Sequence, residues 1–156
     1  MNKRLIIAAG KGLYAYKQQL VLRLREAGYD VTDGGAYDTP DPFPYYMAAE
    51  KVARAIQSGA FAQGVLICGT GMGVFQAANK FKGISAALVE SPYTAYFARQ
   101  LSDSNVLCIG GWVMAEAQAM DAINAFFGAT FGENMDPQRY ARMKRAHEYS
   151  REHYGA

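Results

Sequence analysis

The sequence predicts an α/β fold: a five-stranded parallel sheet with helices on both faces and one more helix at the C-terminus. Three features predict it. Short apolar runs alternate with longer amphipathic stretches. The runs are nearly unbroken, as expected of parallel strands buried on both faces. Glycine and proline punctuate the junctions.

The elements follow in order. Leu5 to Ala9 is the first strand, and Leu13, Tyr16, Leu20 and Leu24 then recur at helical spacing until Gly28 stops the helix. Asp30 to Thr32 is a short second strand, and Gly34 to Pro44 is a loop. Ala48, Val52, Ala55 and Ile56 mark a second helix ended by Gly59. Val65 to Cys68 is the third strand, followed at once by a glycine-rich turn and a helix from Met72 to about Lys80. Ala86 to Val89 is the fourth strand, and Tyr93, Phe97 and Leu101 define the face of the next helix. Val106 to Ile109 is the fifth strand; Val113, Ala117, Met120, Ile123 and Phe127 give a further helix. Pro137, suited to a first helical position, opens a polar, basic helix that reaches His153. The whole chain, 1–156, reads as one domain without internal repeats.

Composition narrows the function. A net charge of +2, with charges of both signs mixed along the chain, argues against nucleic acid and against a membrane surface as partners. The apolar run at the N-terminus is too short for a signal peptide or a membrane span. Two well-separated cysteines, Cys68 and Cys108, form neither a disulfide framework nor a metal-ligand cluster; no cofactor is expected. Free thiols point to a reducing cytoplasm.

Sheets of this kind bind ligands outside the carboxyl ends of their strands. Three loops meet that condition: Gly10-Lys11-Gly12, Cys68 to Gly73, and Glu90-Ser91-Pro92. In Cys68-Gly69-Thr70-Gly71-Met72-Gly73, alternating glycines clear space for main-chain N–H groups to converge at a helix start. Such a turn holds an anion or a developing oxyanion. A helix start also favours thiolate over thiol, and a thiolate there can take a proton from a carbon beside a carbonyl. Thr70 could then bond the oxygen that becomes negative. The plain alternative is a buried cysteine in a tight strand-to-helix turn. A dinucleotide site fits poorly, because the glycine spacing is wrong and the turn follows the third strand.

At this segment the sequence is identified as similar to a known family. Gly64 to Gly73, Ala77-Ala78-Asn79-Lys80, Gly83-Ile84 and Ala86-Ala87-Leu88 resemble the type B ribose-5-phosphate isomerase and galactose-6-phosphate isomerase family. Pro92-Tyr93-Thr94-Ala95, Asn105-Val106-Leu107, Gly110, Gly35-Ala36-Tyr37-Asp38, Pro44 and Tyr46 extend the match to about Phe131. The resemblance implies a Rossmann-like three-layer sandwich, and a homodimer or homotetramer with sites between subunits. The C-terminal helix, 137–153, would pack on the partner subunit. It further implies a metal-free aldose–ketose isomerisation through a cis-enediolate, with Cys68 moving the proton and Thr70 beside it. Gly69, Gly71, Gly73, Asn79, Lys11, Tyr46, Ser102, Arg139 and Arg142 would hold a sugar or sugar phosphate. A second branch of the family uses a glutamate where this chain has Val74, which leaves the cysteine route.

The departures are informative. The family's Asp-His pair after the first strand reads Gly10-Lys11, and its ring-opening His-Asn pair reads Leu101-Ser102. An arginine after the fifth strand becomes Trp112, and the C-terminal Arg-His-x-x-Arg clamp is reduced to Arg139 and an offset Arg142. Without a ring-opening histidine, the expected substrate is already open-chain. A tetrose 4-phosphate qualifies, because its phosphate occupies the hydroxyl that would close the ring. An unphosphorylated or carboxylated sugar, a half-site subunit of a hetero-oligomeric isomerase, and a binding module without chemistry are the alternatives. Trp112 is expected to wall the pocket. Cys108 is expected to be inert core, and His147 and His153 to be solvated.

Overall fold

A computed structural model describes residues 4–154. Strands β1 (Arg4–Ala9), β2 (Asp30–Asp33), β3 (Gly64–Cys68), β4 (Ala86–Leu88) and β5 (Val106–Gly110) form one sheet in the order β2-β1-β3-β5-β4. Every pairing is parallel. The helices are α1 (Tyr14–Glu26), α2 (Tyr45–Gln57), α3 (Met72–Ala78), α4 (Pro92–Gln100), α5 (Glu116–Gly128) and α6 (Pro137–His153). The fold class expected from the sequence is the one observed.

Strand periodicity sorts the core into two layers. Leu5, Ile7, Val65, Ile67, Leu107 and Ile109 point to one face, against α1, α4 and α5. Ile6, Ala8, Leu66, Cys68, Val106 and Cys108 point to the other, against α2 and α3. Leu66 is fully buried, so truncating it to alanine should cost about 2–5 kcal/mol. Strand order reverses between β1 and β3, so the turns after these two strands diverge and leave a crevice at the sheet's carboxyl edge.

Two helical faces differ from the pattern the sequence suggested. On α4 the buried residues are Ala95, Ala98 and Gln100, while Tyr93 is 72% exposed. Small residues on α4 meet Ala119 and Ala122 of α5 in the same core layer. Alanines on both helices permit a close approach that aromatic side chains would block. Tyr93, Phe97 and Leu101 therefore turn toward a groove beside β4. On α5, Val113 and Ala117 are exposed, and Ala119, Ala122, Ile123, Phe126 and Phe127 are buried. The cause is the turn before it: the N–H groups of Val113 and Met114 both donate to the Gly110 carbonyl, which delays the helix to Glu116.

Helix α6 starts as expected. Asp136 caps it by accepting from the Arg139 N–H (2.9 Å), and Pro137 follows. It contains no buried residue. His147 is not simply solvated: it is half-buried, its Nε2 shares a hydrogen bond with the Leu101 carbonyl (2.9 Å), and Phe131 stands edge-on to its ring. His153 is exposed and stacks on Tyr149.

Candidate active site

The crevice between β1 and β3 is lined by the turns that follow them. The Gly10 N–H donates to the Ile67 carbonyl (3.2 Å), which places Lys11 beside the Cys68 turn. Cys68 ends β3 with only 9% of its surface exposed. Its Sγ accepts a hydrogen bond from the Gly71 N–H (3.2 Å), so the sulfur faces the start of α3. Gly71 has φ +81°, and a Cβ there would stand 2.5 Å from Leu88 Cδ1 and 3.0 Å from the Gly110 nitrogen. Only glycine lets the turn lie against the end of β5 in this way. Thr70 Oγ1 accepts from the Met72 N–H (3.3 Å), leaving its own O–H free to donate outward. The first N–H groups of α3 lack intrahelical acceptors by their position.

Two exposed aromatic rings stand at either end of this turn. A Cβ on Gly69 would meet the Trp112 indole at 2.6 Å, and one on Gly73 would meet the Tyr45 ring at 3.0 Å. Tyr46, the residue singled out in the sequence, is 57% exposed and sits edge-on to Tyr45 at 5.7 Å. Tyr45 was missed there, since nothing in the sequence shows which of two adjacent tyrosines covers a glycine.

Lys11 is half-buried, and its ammonium donates to the carbonyls of Tyr37 (2.6 Å) and Thr39. It thereby ties the turn after β1 to the 34–44 loop and keeps one of its three donors. Lys17 was also missed. Its side chain is fully buried, bonded to the Asp33 carboxylate and the Ala36 carbonyl (2.6 Å), which fixes the start of the same loop. Burial lowers its pKa, and Asp33 opposes that shift. A sign of this was available, because position 17 falls on the apolar helical stripe with Leu13, Leu20 and Leu24.

The other expected site residues lie elsewhere. Ser102 and Arg139 border a cavity of about 550 Å³ between β4, α4 and the start of α6, with Leu88 in its wall. Arg142 is exposed, one residue-step round the helix from Met143. Asn79 does not join the Cys68 turn. Its carboxamide accepts from the Ala86 N–H (2.9 Å) and donates to the Ala86 carbonyl (3.2 Å), closing the edge of β4. It faces a larger cavity of about 750 Å³ at the amino ends of β3, β4 and β5. Neither cavity includes Cys68.

Cys108 is fully buried, and burial pushes its thiol far above the ordinary range, with Cys68 adding to the shift. Among the described residues, no group of three or more His, Cys, Asp or Glu side chains could hold a metal ion. No helix among them is long and apolar enough to cross a membrane.

The family model described as Ribose/Galactose Isomerase matches residues 5–143. The chain belongs to this isomerase family. It is 38% identical over 143 residues to the 4-deoxy-4-sulfo-D-erythrose isomerase of Clostridium sp. (strain MSTE9), covering 92% of this chain and 90% of that protein. It is 38% identical over 127 residues to ribose-5-phosphate isomerase B of Escherichia coli (strain K12), covering 81% and 84%. The solved structure of ribose-5-phosphate isomerase B from Mycoplasma genitalium with bound ribulose 5-phosphate superposes with a TM-score of 0.79 at 32% identity, covering 96% and 97%. The family's aldose–ketose chemistry and Rossmann-like sandwich thus go with the observed sheet.

Proposed function

We propose that this protein interconverts an open-chain aldose and its ketose, the substrate having four carbons and a terminal phosphate or sulfonate. The observation that carries this reading is the Gly71 N–H donating to Cys68 Sγ at the mouth of the crevice. It aims a nucleophilic sulfur at the place where the N–H groups of the turn converge. The Cys68 thiolate takes the proton from C2 of the aldose, and the negative charge moves to the C1 oxygen. The Thr70 hydroxyl and the main-chain donors of the Gly69–Gly73 turn hold that oxygen. A proton passes from the C2 hydroxyl to the C1 oxygen, and Cys68 returns its own proton to C1, which yields the ketose with its carbonyl at C2.

Chain length is supported by two points. Leu101 stands where the resemblance puts the histidine that opens ring-forming substrates, and a relative 38% identical is named for a four-carbon sulfo-sugar. The anionic end has cations within the proposed reach of the site: the remaining donor of Lys11, and Arg139 and Arg142 of α6. A second copy of the chain completes the pocket. Ser102 and Arg139 gather around a cavity separate from Cys68, and α6 has no buried face of its own. A homodimer, or a homotetramer, with α6 on the neighbour accounts for both. Two unpaired thiols suit a cytoplasmic enzyme.

The same separation of residues favours a second reading, a half-site subunit that needs a different chain. A coupled assay of the purified protein distinguishes them. D-erythrose 4-phosphate, 4-deoxy-4-sulfo-D-erythrose, ribose 5-phosphate and galactose 6-phosphate are compared by kcat/KM. The proposal predicts turnover by this chain alone, highest on a four-carbon substrate. Preference for ribose 5-phosphate would refute the chain length, and activity only with an added second subunit would establish the half-site reading.

A further inference from the structure

We infer that Trp112 is a specificity-determining residue that sets the length of the carbon chain this site accepts. The inference rests on the isomerase reading above for the position of the reacting carbons.

The main chain that carries the indole is held in place, although the side chain is 78% exposed. The N–H of Gly111 donates to the Cys68 carbonyl and that of Trp112 to the Gly69 carbonyl, both at 2.9 Å. The turn after β5 is therefore latched to the turn after β3. The Tyr16 hydroxyl bonds the Met114 carbonyl (2.9 Å) and secures the far side of the same segment. The benzo edge of the indole covers Gly69, with Cε3 and Cζ3 each 2.6 Å from the position a Cβ would take. Its Nε1 lies on the opposite edge of the indole. A large apolar ring kept so exposed on so fixed a main chain marks a contact surface.

A substrate whose C1 and C2 sit over Cys68 can extend along the turn in two directions. Over Gly69 it meets Trp112, and over Gly73 it meets Tyr45. The chain from Gly69 to Gly73 reaches at most about 14 Å when extended, and the positive φ of Gly71 folds it to less. On this reading, four carbons and a tetrahedral anion span the gap between the rings, and a fifth carbon with its hydroxyl presses on one of them. Trp112 is the uncharged wall, giving apolar contact to the C–H face of the chain and no hydrogen bond along its benzo edge. One chain unit in such a pocket changes discrimination by about 10–200-fold.

Trp112 is the single tryptophan, so its fluorescence reports ligand contact independently of turnover. Wild type, Trp112→Ala and Trp112→Phe are assayed on D-erythrose 4-phosphate and ribose 5-phosphate, with oligomeric state measured by light scattering. Wild-type fluorescence is titrated with 4-phospho-D-erythronate and 5-phospho-D-ribonate, which cannot isomerise. The expected result is a saturable change with the four-carbon acid and a weaker one with the five-carbon acid. Trp112→Ala should shift the kcat/KM ratio at least tenfold toward the five-carbon sugar, and Trp112→Phe should shift it less. An unchanged ratio, or equal loss on both sugars with dissociation of the oligomer, would overturn the inference. Saturable quenching without turnover by wild type on any sugar would leave Trp112 in a binding wall and reject the isomerase reading instead.

Discussion

The main-chain N–H of Gly71 reaches the sulfur of Cys68 across 3.2 Å, from within the same tight turn. That contact depends on a left-handed residue at position 71, where φ is +81°. Alanine at this position would be strained and would strike Leu88 Cδ1. The expected outcome for Gly71→Ala is a stability loss of about 1–3 kcal/mol and a larger proportional loss of kcat than of KM, read from urea unfolding and steady-state kinetics. A variant with native stability and activity would show that the turn tolerates another conformation.

The two thiols should behave differently toward alkylation. Cys108 is sealed in the core with its thiol shifted upward by burial, whereas Cys68, at the end of β3, keeps 9% of its surface exposed. Iodoacetamide at pH 8 should leave one adduct, at Cys68, with activity lost in step and substrate slowing the reaction. Peptide mass spectrometry checks the site. Labelling of native Cys108 would contradict the packing described.

Alkaline pH should loosen the segment that carries Trp112. Burial, with a smaller contribution from Glu116, pushes the Tyr16 phenol up to about 12. The unfolded chain releases this proton near pH 10, so the stabilisation is complete below pH 10 and is lost as pH rises through about 12. Tm measured from pH 8 to 12 should fall in that window, and Tyr16→Phe should fall less steeply. Identical curves would remove Tyr16 from this role.

Truncation after Asp136 removes a helix with no buried side chain. The remaining domain should fold, with circular dichroism reduced only by the missing helix. If α6 packs on a second copy, the truncated protein should run as a monomer and lose isomerase activity. A truncated protein that keeps both oligomer and activity would place the dimer contact elsewhere.

Much of this was legible in the sequence because the sheet is simple. Every strand but the short β2, Asp-Val-Thr-Asp, is an apolar run, and each lies within one or two residues of its expected bounds. The Cys68 turn was visible because alternating glycines follow a strand end, where Gly71 takes a positive φ and Gly69 and Gly73 make room for the Trp112 and Tyr45 rings. Helix faces were harder to read. On α4, two alanines outcompete three larger apolar residues for the interior because they allow α5 to come close. Periodicity cannot reveal that, since both faces look apolar. Asn79 was assigned to substrate on resemblance, yet its carboxamide matches the two main-chain groups of Ala86 at the sheet edge. That pairing is set by the open edge of β4, which becomes known only once strand order is known. Lys17 shows the reverse case. Its place on an apolar stripe signalled burial, and its partner Asp33 lies a whole turn and strand away.

Proton transfer at the sulfur is tested most directly by solvent exchange. D-erythrose 4-phosphate is incubated in deuterium oxide with wild type or Cys68→Ala, and deuterium at the carbon next to the carbonyl is followed by proton NMR. Wild type should incorporate deuterium, and the variant should do so about 10²–10⁴-fold more slowly while keeping its fold. Exchange by the variant at the wild-type rate would show that a different group moves the proton.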